Sequence, residues 1–298
     1  MGNSSSSDSD SDYSPAYVPP PSPLTSNPWR TTPEWNKEFE SSLRKDIKAI
    51  EPPFKPNIVL VGPVGAGKSS YINATLSVAK GHKVDMAYTE SGSKSCTTSY
   101  DRYTDKTLLQ NFRLIDCMGL EQSTEEGFNV ADMVSLLKGH IKNGYQFNPR
   151  SPISSENKDH WHVNPTFEDH IHCVVFVVDA NVMHIGIPPA YVGKIRQIQD
   201  AVKRLRVPRV LILTKADELC YTVRDDNTNM FRSVKVKEAV KTASEVFRIP
   251  EASIHPVTNY EDADAIEISW KRNIPLLIAL RQITQYTNDR IEALNDSD

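Results

Sequence analysis

The sequence has 298 residues, of which 39% are hydrophobic, and its formal net charge is -4. That length supports one large core or at most two domains, and the lack of a basic excess argues against a nucleic-acid-binding protein. No apolar run reaches the roughly 18 residues of a membrane-spanning helix, and the N-terminus lacks the apolar core of a secretory signal. The four cysteines form no C-x-x-C pair, which favours reduced thiols and a cytoplasmic protein.

The N-terminal segment, residues 1–28, is rich in Ser, Asp and Pro. It has too little apolar surface to offset the entropy lost on ordering the chain, so we predict a disordered tail. The first six residues also fit the pattern for N-myristoylation at Gly2. A serine-rich start matches that pattern easily, so acylation and an unmodified tail both stay open. A membrane partner is expected only if Gly2 is acylated.

Residues 29–53 are predicted to form a helix that docks on the rest of the chain. Thr32 is placed to cap this helix, and Pro33 suits its first turn. Two prolines at 52–53 end it. The apolar residues recur at helical spacing and would face the core: Trp35, Phe39, Leu43, Ile47 and Ile50.

Residues 54–298 are predicted to form one domain in which short apolar runs alternate with amphipathic segments. Strands are predicted at 57–61, 107–116, 173–180, 209–215 and 253–258. Helices are predicted after residue 68 and at 130–141, 190–205, 234–247 and 274–294. This alternation is typical of an α/β fold with a doubly wound, mostly parallel sheet flanked by helices. The polar stretch 143–170 interrupts the alternation and is predicted to be an inserted loop.

A phosphate-binding loop is predicted between the first of these strands and the following helix. Residues 62–69, GPVGAGKS, fit the P-loop pattern G-x-x-x-x-G-K-[ST]. Backbone N–H groups and the helix N-terminus would surround the phosphates. We expect Lys68 to reach the β and γ phosphates and the Ser69 hydroxyl to bind Mg²⁺. The nucleotide-contacting residues predicted here are Gly62, Val64, Gly65, Ala66, Gly67, Lys68, Ser69 and Ser70.

A D-x-x-G element, residues 116–119, ends the second strand. Asp116 is placed to hold Mg²⁺ through water, and the Gly119 N–H is placed to contact a γ-phosphate. In small GTPases a Gln directly after this element orients the attacking water. Leu120 occupies that position and has no polar atom, which predicts slow hydrolysis. Glu121 and Gln122 follow and stay open as alternatives.

Two further elements predict that the base is guanine, so the expected cofactors are GTP or GDP with Mg²⁺. Residues 214–217, TKAD, resemble the [NT]-K-x-D element in which Asp217 accepts from guanine N1–H and its exocyclic amine. Adenine lacks that donor pair and would leave the carboxylate unpaired. The Lys215 stem would pack along the base, and Thr214 stands where Asn is commoner. Thr258 and Asn259 are placed to bring a backbone N–H to the guanine carbonyl.

Metal ligands beyond Ser69 and Asp116 are harder to assign. Thr97 and Thr98 lie in the region 89–98, which we expect to close over the γ-phosphate and Mg²⁺. No arginine in 89–104 is poised to stabilise the γ-phosphate, because the only one, Arg102, is expected on a strand. Two H-x-H pairs, at 160–162 and 170–172, have residues that could bind zinc, but we favour incidental histidines in a loop.

Several blocks together resemble the interferon-induced protein 44 and 44-like family. They are PWR (28–30), VGPVGAGKSS (61–70) with YINA next, GH (81–82), LIDCMGLE, LTKAD and PVTNY (256–260). The resemblance covers residue 28 to the C-terminal helix. It implies a cytoplasmic GTP-binding protein of the innate antiviral response. Longer members carry an N-terminal TLDc-type domain where this chain has its short tail, so functions of that domain are not carried over.

Three classes of function fit these features. The first is a GTP-binding switch or assembly protein, with an unknown protein partner or a second copy of itself as the target. The second is an active GTP hydrolase, and the third is an ATPase or kinase. Asp217 argues against the third class and Leu120 against the second, so we predict the first.

Overall fold

The computed structural model describes residues 22–87, 100–117, 119–120, 129–148, 150–260 and 268–295. The described residues contain one six-stranded sheet in the order β2-β3-β1-β4-β5-β6. All neighbouring strands are parallel except β2, which is antiparallel to β3. The strands are β1 (Asn57–Val61), β2 (Asp101–Tyr103), β3 (Arg113–Asp116), β4 (Ile171–Asp179), β5 (Arg209–Thr214) and β6 (Ile254–Pro256). The predicted α/β fold with a mostly parallel sheet is therefore confirmed.

Helices cover both faces of this sheet. They are α1 (Lys37–Lys48), α2 (Lys68–Lys80), α3 (Val130–Leu137), α4 (Ala180–Ile185), α5 (Pro189–Arg204), α6 (Ala216–Leu219), α7 (Tyr221–Asp225), α8 (Val234–Phe247) and α9 (Trp270–Asn295). Ile58 and Leu60 of β1 pack with α1, α2 and α9, whereas Val59 and Val61 pack with α3, α5 and α8. This alternation gives the sheet an apolar core on each face. Among the described residues, no helix combines the length and apolar character that a bilayer crossing requires.

Helix α1 begins later than predicted. Its N-cap is Asn36, whose side chain accepts a hydrogen bond from the Phe39 N–H, so the prediction of Thr32 as the cap is wrong. The Thr32 hydroxyl oxygen instead accepts a 3.1 Å hydrogen bond from the Trp35 indole. Trp35 packs edge-on against Phe231, which attaches the chain before the helix to a distant part of the domain. The predicted docking face is buried, at Phe39, Leu43 and Ile47.

Residues 22–28 pack on the domain, although they were assigned to the disordered tail. The Thr25 N–H donates to the Arg232 carbonyl, and the Trp29 N–H donates to the Phe231 carbonyl, both at 2.8 Å. Leu24 forms a bridge with Ser233. These contacts place the boundary of the packed chain earlier than composition predicted, because a few apolar residues among the prolines suffice to dock it. Residues 1–21, including Gly2, lie outside the described residues.

The predicted strand 107–116 is confirmed only over β3. Asp105 accepts backbone hydrogen bonds from Thr107 and Leu109, and these bonds close a turn in the first half of the predicted strand. Arg102 lies on β2, as expected, but the bounds of this strand were not predicted, because none of its three residues is buried. The other strands and helices differ from the predicted bounds by a few residues.

The insert 143–170 is largely irregular, as predicted, and its two ends are tied together. The Lys142 N–H donates to the His160 carbonyl at 2.9 Å, and the His162 N–H donates to the His140 carbonyl at 2.7 Å. Just after the insert, His172 Nδ1 accepts from the Asn57 N–H at 3.1 Å, while its Nε2 is 3.0 Å from the Phe167 carbonyl. Both bonds suit a neutral ring, and burial lowers the pKa of His172 to about 4.

This buried histidine predicts loss of stability in mild acid. The unfolded chain takes up a proton on His172 near pH 6.5 and the folded chain only near pH 4, so stability falls as pH drops through that window. In His172→Asn the amide oxygen can still accept from the Asn57 N–H, but nothing titrates. Urea unfolding from pH 7.5 to 4.5 should show a loss roughly 3 kcal/mol smaller in the variant than in the wild type.

The matched control is His82→Asn, which removes an exposed histidine. Its stability should follow the wild-type pH dependence. A His172→Asn protein with the same pH dependence as the wild type would contradict the assignment.

Candidate nucleotide-binding site

The predicted phosphate-binding loop lies between β1 and α2. It starts at Gly62, directly after β1, and Gly67 forms the N-cap of α2 with a φ of 84°. The Lys68 ammonium is 3.1 Å from the Pro63 carbonyl oxygen and 3.3 Å from that of Gly62. Carbonyl oxygens of the P-loop therefore hold the Lys68 ammonium above the loop. A bound phosphate would replace these oxygens as the partner of Lys68.

Ser69, in the first turn of α2, meets Asp116 at the carboxyl end of β3. The Ser69 hydroxyl donates to Asp116 Oδ2 at 2.5 Å, and Asp116 is only 1% exposed. Burial raises the pKa of Asp116, while the Lys68 charge and the Ser69 hydroxyl act in the opposite direction. A carboxylate and a hydroxyl oxygen side by side are the ligand types that Mg²⁺ prefers, so these residues fit the predicted ion. Thr97 and Thr98 lie outside the described residues.

Thr214 joins the guanine element to the P-loop. Its hydroxyl donates to the Ala66 carbonyl at 2.7 Å and lies 3.3 Å from the Val178 carbonyl. The side chain of this residue therefore has a definite role even though it is not the commoner Asn. It bonds the end of β5 to the loop that would hold the phosphates.

Lys215 and Asp217 follow at the carboxyl end of β5. Lys215 has a left-handed backbone with a φ of 58°, and its ammonium is 3.3 Å from Asp179 Oδ2. Asp217 lies half-buried in the first turn of α6. Sequence reasoning missed Asp179, although an acidic residue ending the apolar strand β4 was a usable signal.

The loop after β6 brings Thr258 and Asn259 to the same edge of the sheet. The Val257 N–H donates to the Leu213 carbonyl at 2.8 Å, and the Ala216 N–H donates to the Val257 carbonyl at 3.3 Å. Thr258 is fully buried and Asn259 is 6% exposed. The loops after β1, β3, β5 and β6 therefore converge at the carboxyl ends of the strands, where ligands of open α/β sheets bind.

Leu120 is part of the core and is paired with the P-loop. Its N–H donates to the Gly62 carbonyl at 2.9 Å, and its carbonyl accepts from the Val64 N–H at 3.2 Å. Its side chain is fully buried. A Cβ on Gly119 would lie 2.6 Å from a Val64 methyl and 3.0 Å from the Val64 Cα, so this approach requires glycine. Glu121 and Gln122 lie outside the described residues.

Asn73 of α2 is a residue that sequence reasoning did not single out. Its Oδ1 accepts from the N–H groups of Met86 and Ala87, and its Nδ2 donates to the Ala87 carbonyl and to Asp85. These four bonds fasten the chain after α2 to the P-loop helix, just before the region 89–98. The available signal was an asparagine in the middle of a helix, between Ile72 and Ala74.

The histidines of the insert have other partners. The His162 ring lies 3.5 Å from Asp169, and the His160 ring packs against Tyr145. His172 is held by the backbone contacts described above. Within the described ranges, no three His, Cys, Asp or Glu side chains are grouped as a metal site would need.

Leu120 is predicted to be a stability residue. Leu120→Ala should lower the free energy of unfolding by about 2–5 kcal/mol, because it empties a fully buried position beside the P-loop. Ile185→Ala removes a similar side chain that is 83% exposed and should change stability by no more than about 0.5 kcal/mol. Urea unfolding without nucleotide measures both variants, and equal effects would contradict the buried role.

Comparisons with known proteins identify relatives of this chain. Residues 57–215 match the family model described as 50S ribosome-binding GTPase. Human interferon-induced protein 44-like is 32% identical over 266 residues, which cover 87% of this chain and 58% of that protein. Mouse interferon-induced protein 44 is 30% identical over 241 residues, which cover 80% of this chain and 56% of that protein. The chain thus spans less than two thirds of the length of these relatives.

Among solved structures, the chain is similar to Toc33 from Arabidopsis thaliana in complex with GDP and Mg²⁺. It is 17% identical with a TM-score of 0.39, over 85% of this chain and 90% of that one. The GTPase match spans β1 through the start of the guanine element, and the relatives match most of the chain. The chain belongs to the GTPase family of that model, and it is similar over most of its length to interferon-induced protein 44 and 44-like.

Proposed function

We propose that this GTP-binding protein acts as a GTP-dependent switch or assembly protein in the interferon-induced antiviral response. The observation that carries the proposal is the position of Leu120. A residue that oriented the attacking water would need a polar group facing the nucleotide. Leu120 has none and is buried with its backbone bonded to Gly62 and Val64. The γ-phosphate would therefore persist, and a long-lived GTP state suits signalling or assembly better than turnover.

In this proposal, different residues bind different parts of GTP and its Mg²⁺. Lys68 would neutralise charge on the β and γ phosphate oxygens, and the backbone N–H groups of residues 65–70 would surround them. Ser69 and Asp116 would hold Mg²⁺, which supplies further charge neutralisation when bound. Asp217 would read guanine, and Lys215, held at Asp179, would pack along the base.

The biological setting of the proposal comes from the relatives. Two of them are named for induction by interferon, and the chain aligns with 56–58% of their lengths. We propose a cytoplasmic location, a protein partner or a second copy as the target, and no nucleic-acid partner. Membrane binding is expected only with acylation at Gly2. An active GTP hydrolase and an ATP-binding protein remain the alternatives.

Guanine selectivity is predicted to depend on Asp217. Asp217→Asn should lose guanine nucleotide and gain xanthine nucleotide, because the amide presents a donor where xanthine has a carbonyl. Competition against labelled GDP, with GTP, ATP and XTP as competitors, measures this exchange. Lys68→Ala is the comparison, since it should weaken every nucleotide alike. Displacement of GDP from the wild type by ATP as effectively as by GTP would contradict guanine selectivity and favour the ATP-binding alternative.

Intrinsic hydrolysis is predicted to be slow. Single-turnover phosphate release at low protein concentration should be well below about 1 s⁻¹, the low end of typical enzyme turnover. A rate of that order without a partner would overturn the switch and support the hydrolase. The same measurement at increasing concentration tests self-assembly. A rate that climbs steeply would indicate that a neighbouring copy supplies the missing group.

A further inference from the structure

The side chain of Asn259 is buried without a hydrogen-bond partner. Only 6% of the residue is exposed, and neither its Oδ1 nor its Nδ2 has a partner among the described residues. Buried polar side-chain atoms in folded proteins are in large majority hydrogen-bonded, and an exception calls for an explanation such as an unbound ligand. The hydroxyl of the neighbouring Thr258 is also buried and has no hydrogen-bond partner among the described residues. Two orphaned polar side chains thus stand together in the predicted nucleotide site.

The position of Asn259 links it to the guanine element and to the P-loop. A Cβ on Gly67 would lie 3.3 Å from Asn259 Nδ2 and equally 3.3 Å from Thr214 Cγ2. The amide from the β6 loop and the threonine from the β5 loop therefore share the space beside the N-cap of α2. That space is where the first residue of an [NT]-K-x-D element stands.

Thr214 cannot supply an amide group to a base. Its hydroxyl proton is donated to the Ala66 carbonyl, and its remaining branch is a methyl group. An Asn at this position would have an Nδ2 donor available for the base. Asn259 supplies a side-chain amide in this space beside Thr214 and Gly67.

The backbone that carries Asn259 is anchored by its neighbour. The Tyr260 hydroxyl donates to Asn273 Oδ1 at 2.8 Å and accepts from the Ser269 N–H at 2.9 Å. Asn273 in turn donates to Glu40 of α1 at 2.8 Å. With Val257 bonded to β5 on the other side, the loop is held at both ends. The amide is therefore presented in a defined place, as a ligand-binding group must be.

We propose that the side-chain amide of Asn259 donates a hydrogen bond to N7 of the guanine base, in place of the amide that Thr214 lacks. This inference rests on the proposed guanine binding. Asp217 would take the N1–H and the exocyclic amine, and a backbone N–H of the β6 loop would take the carbonyl O6. The acceptor that remains on guanine is N7, and the unpartnered Nδ2 is a donor.

The experiment compares GDP with 7-deaza-GDP, in which a C–H group replaces N7. Wild-type protein should bind 7-deaza-GDP about fivefold more weakly than GDP. Asn259→Ala should bind the two nucleotides equally, because the donor is gone. Asn259→Asp should bind GDP more weakly than Asn259→Ala does, since a carboxylate would face an acceptor. Because the comparison of GDP with 7-deaza-GDP is a ratio within one protein, a general loss of stability does not imitate that result.

Asn288→Ala is the matched control, because it removes an exposed asparagine amide on α9. It should keep the wild-type ratio. Equal binding of GDP and 7-deaza-GDP by the wild type, or an unchanged ratio in Asn259→Ala, would overturn the role of Asn259 and leave guanine binding intact. A wild-type protein that binds neither nucleotide would instead overturn the proposed function together with the inference.

Discussion

The arrangement of the site depends on the central position of β1 in the sheet. Parallel hydrogen bonds connect β1 to β3 on one side and to β4 on the other. The chain leaves β1 as the P-loop. Because β3 and β4 flank β1 and run in the same direction, their last residues, Asp116 and Asp179, lie beside that loop. An interior sheet of this kind is apolar on both faces, and polar chemistry is confined to the ends of its strands. The fold thus determines where charge can be placed before any individual side chain is considered.

Hydrogen bonds to backbone carbonyls then hold the P-loop from several directions. Thr214 binds the Ala66 carbonyl, and Lys68 reaches those of Gly62 and Pro63. Leu120 pairs with Gly62 and Val64 through its own backbone. Carbonyl oxygens of the loop are therefore turned toward the protein. The bonds to Leu120 also mean that a movement of residues 119–120 would be felt directly by the loop, as a nucleotide-dependent switch requires.

The sequence was most informative where the pattern was local. The strands 57–61 and 209–214 and the residues of the P-loop follow from runs of neighbouring residues. The start of α1, the packing of residues 22–28 and the bounds of β2 were predicted incorrectly or missed. Trp35, Leu24 and Tyr103 have their partners, Phe231, Ser233 and Leu114, in other segments of the chain. Asp179 and Asn73 were not singled out for the same reason. The roles of Thr97 and Thr98 stay predictions, since both lie outside the described residues.

The buried position of Leu120 constrains how a protein of this type can change during evolution. One residue fills the core beneath the P-loop and occupies the place where small GTPases keep their water-orienting glutamine. Replacing Leu120 by glutamine would leave either a cavity or an unpaired amide in an apolar cluster. Any gain in hydrolysis would therefore come with a loss of stability. Substitutions in the surrounding core would have to come first. Faster hydrolysis is therefore more accessible through a group supplied from another molecule than through a single change in this chain.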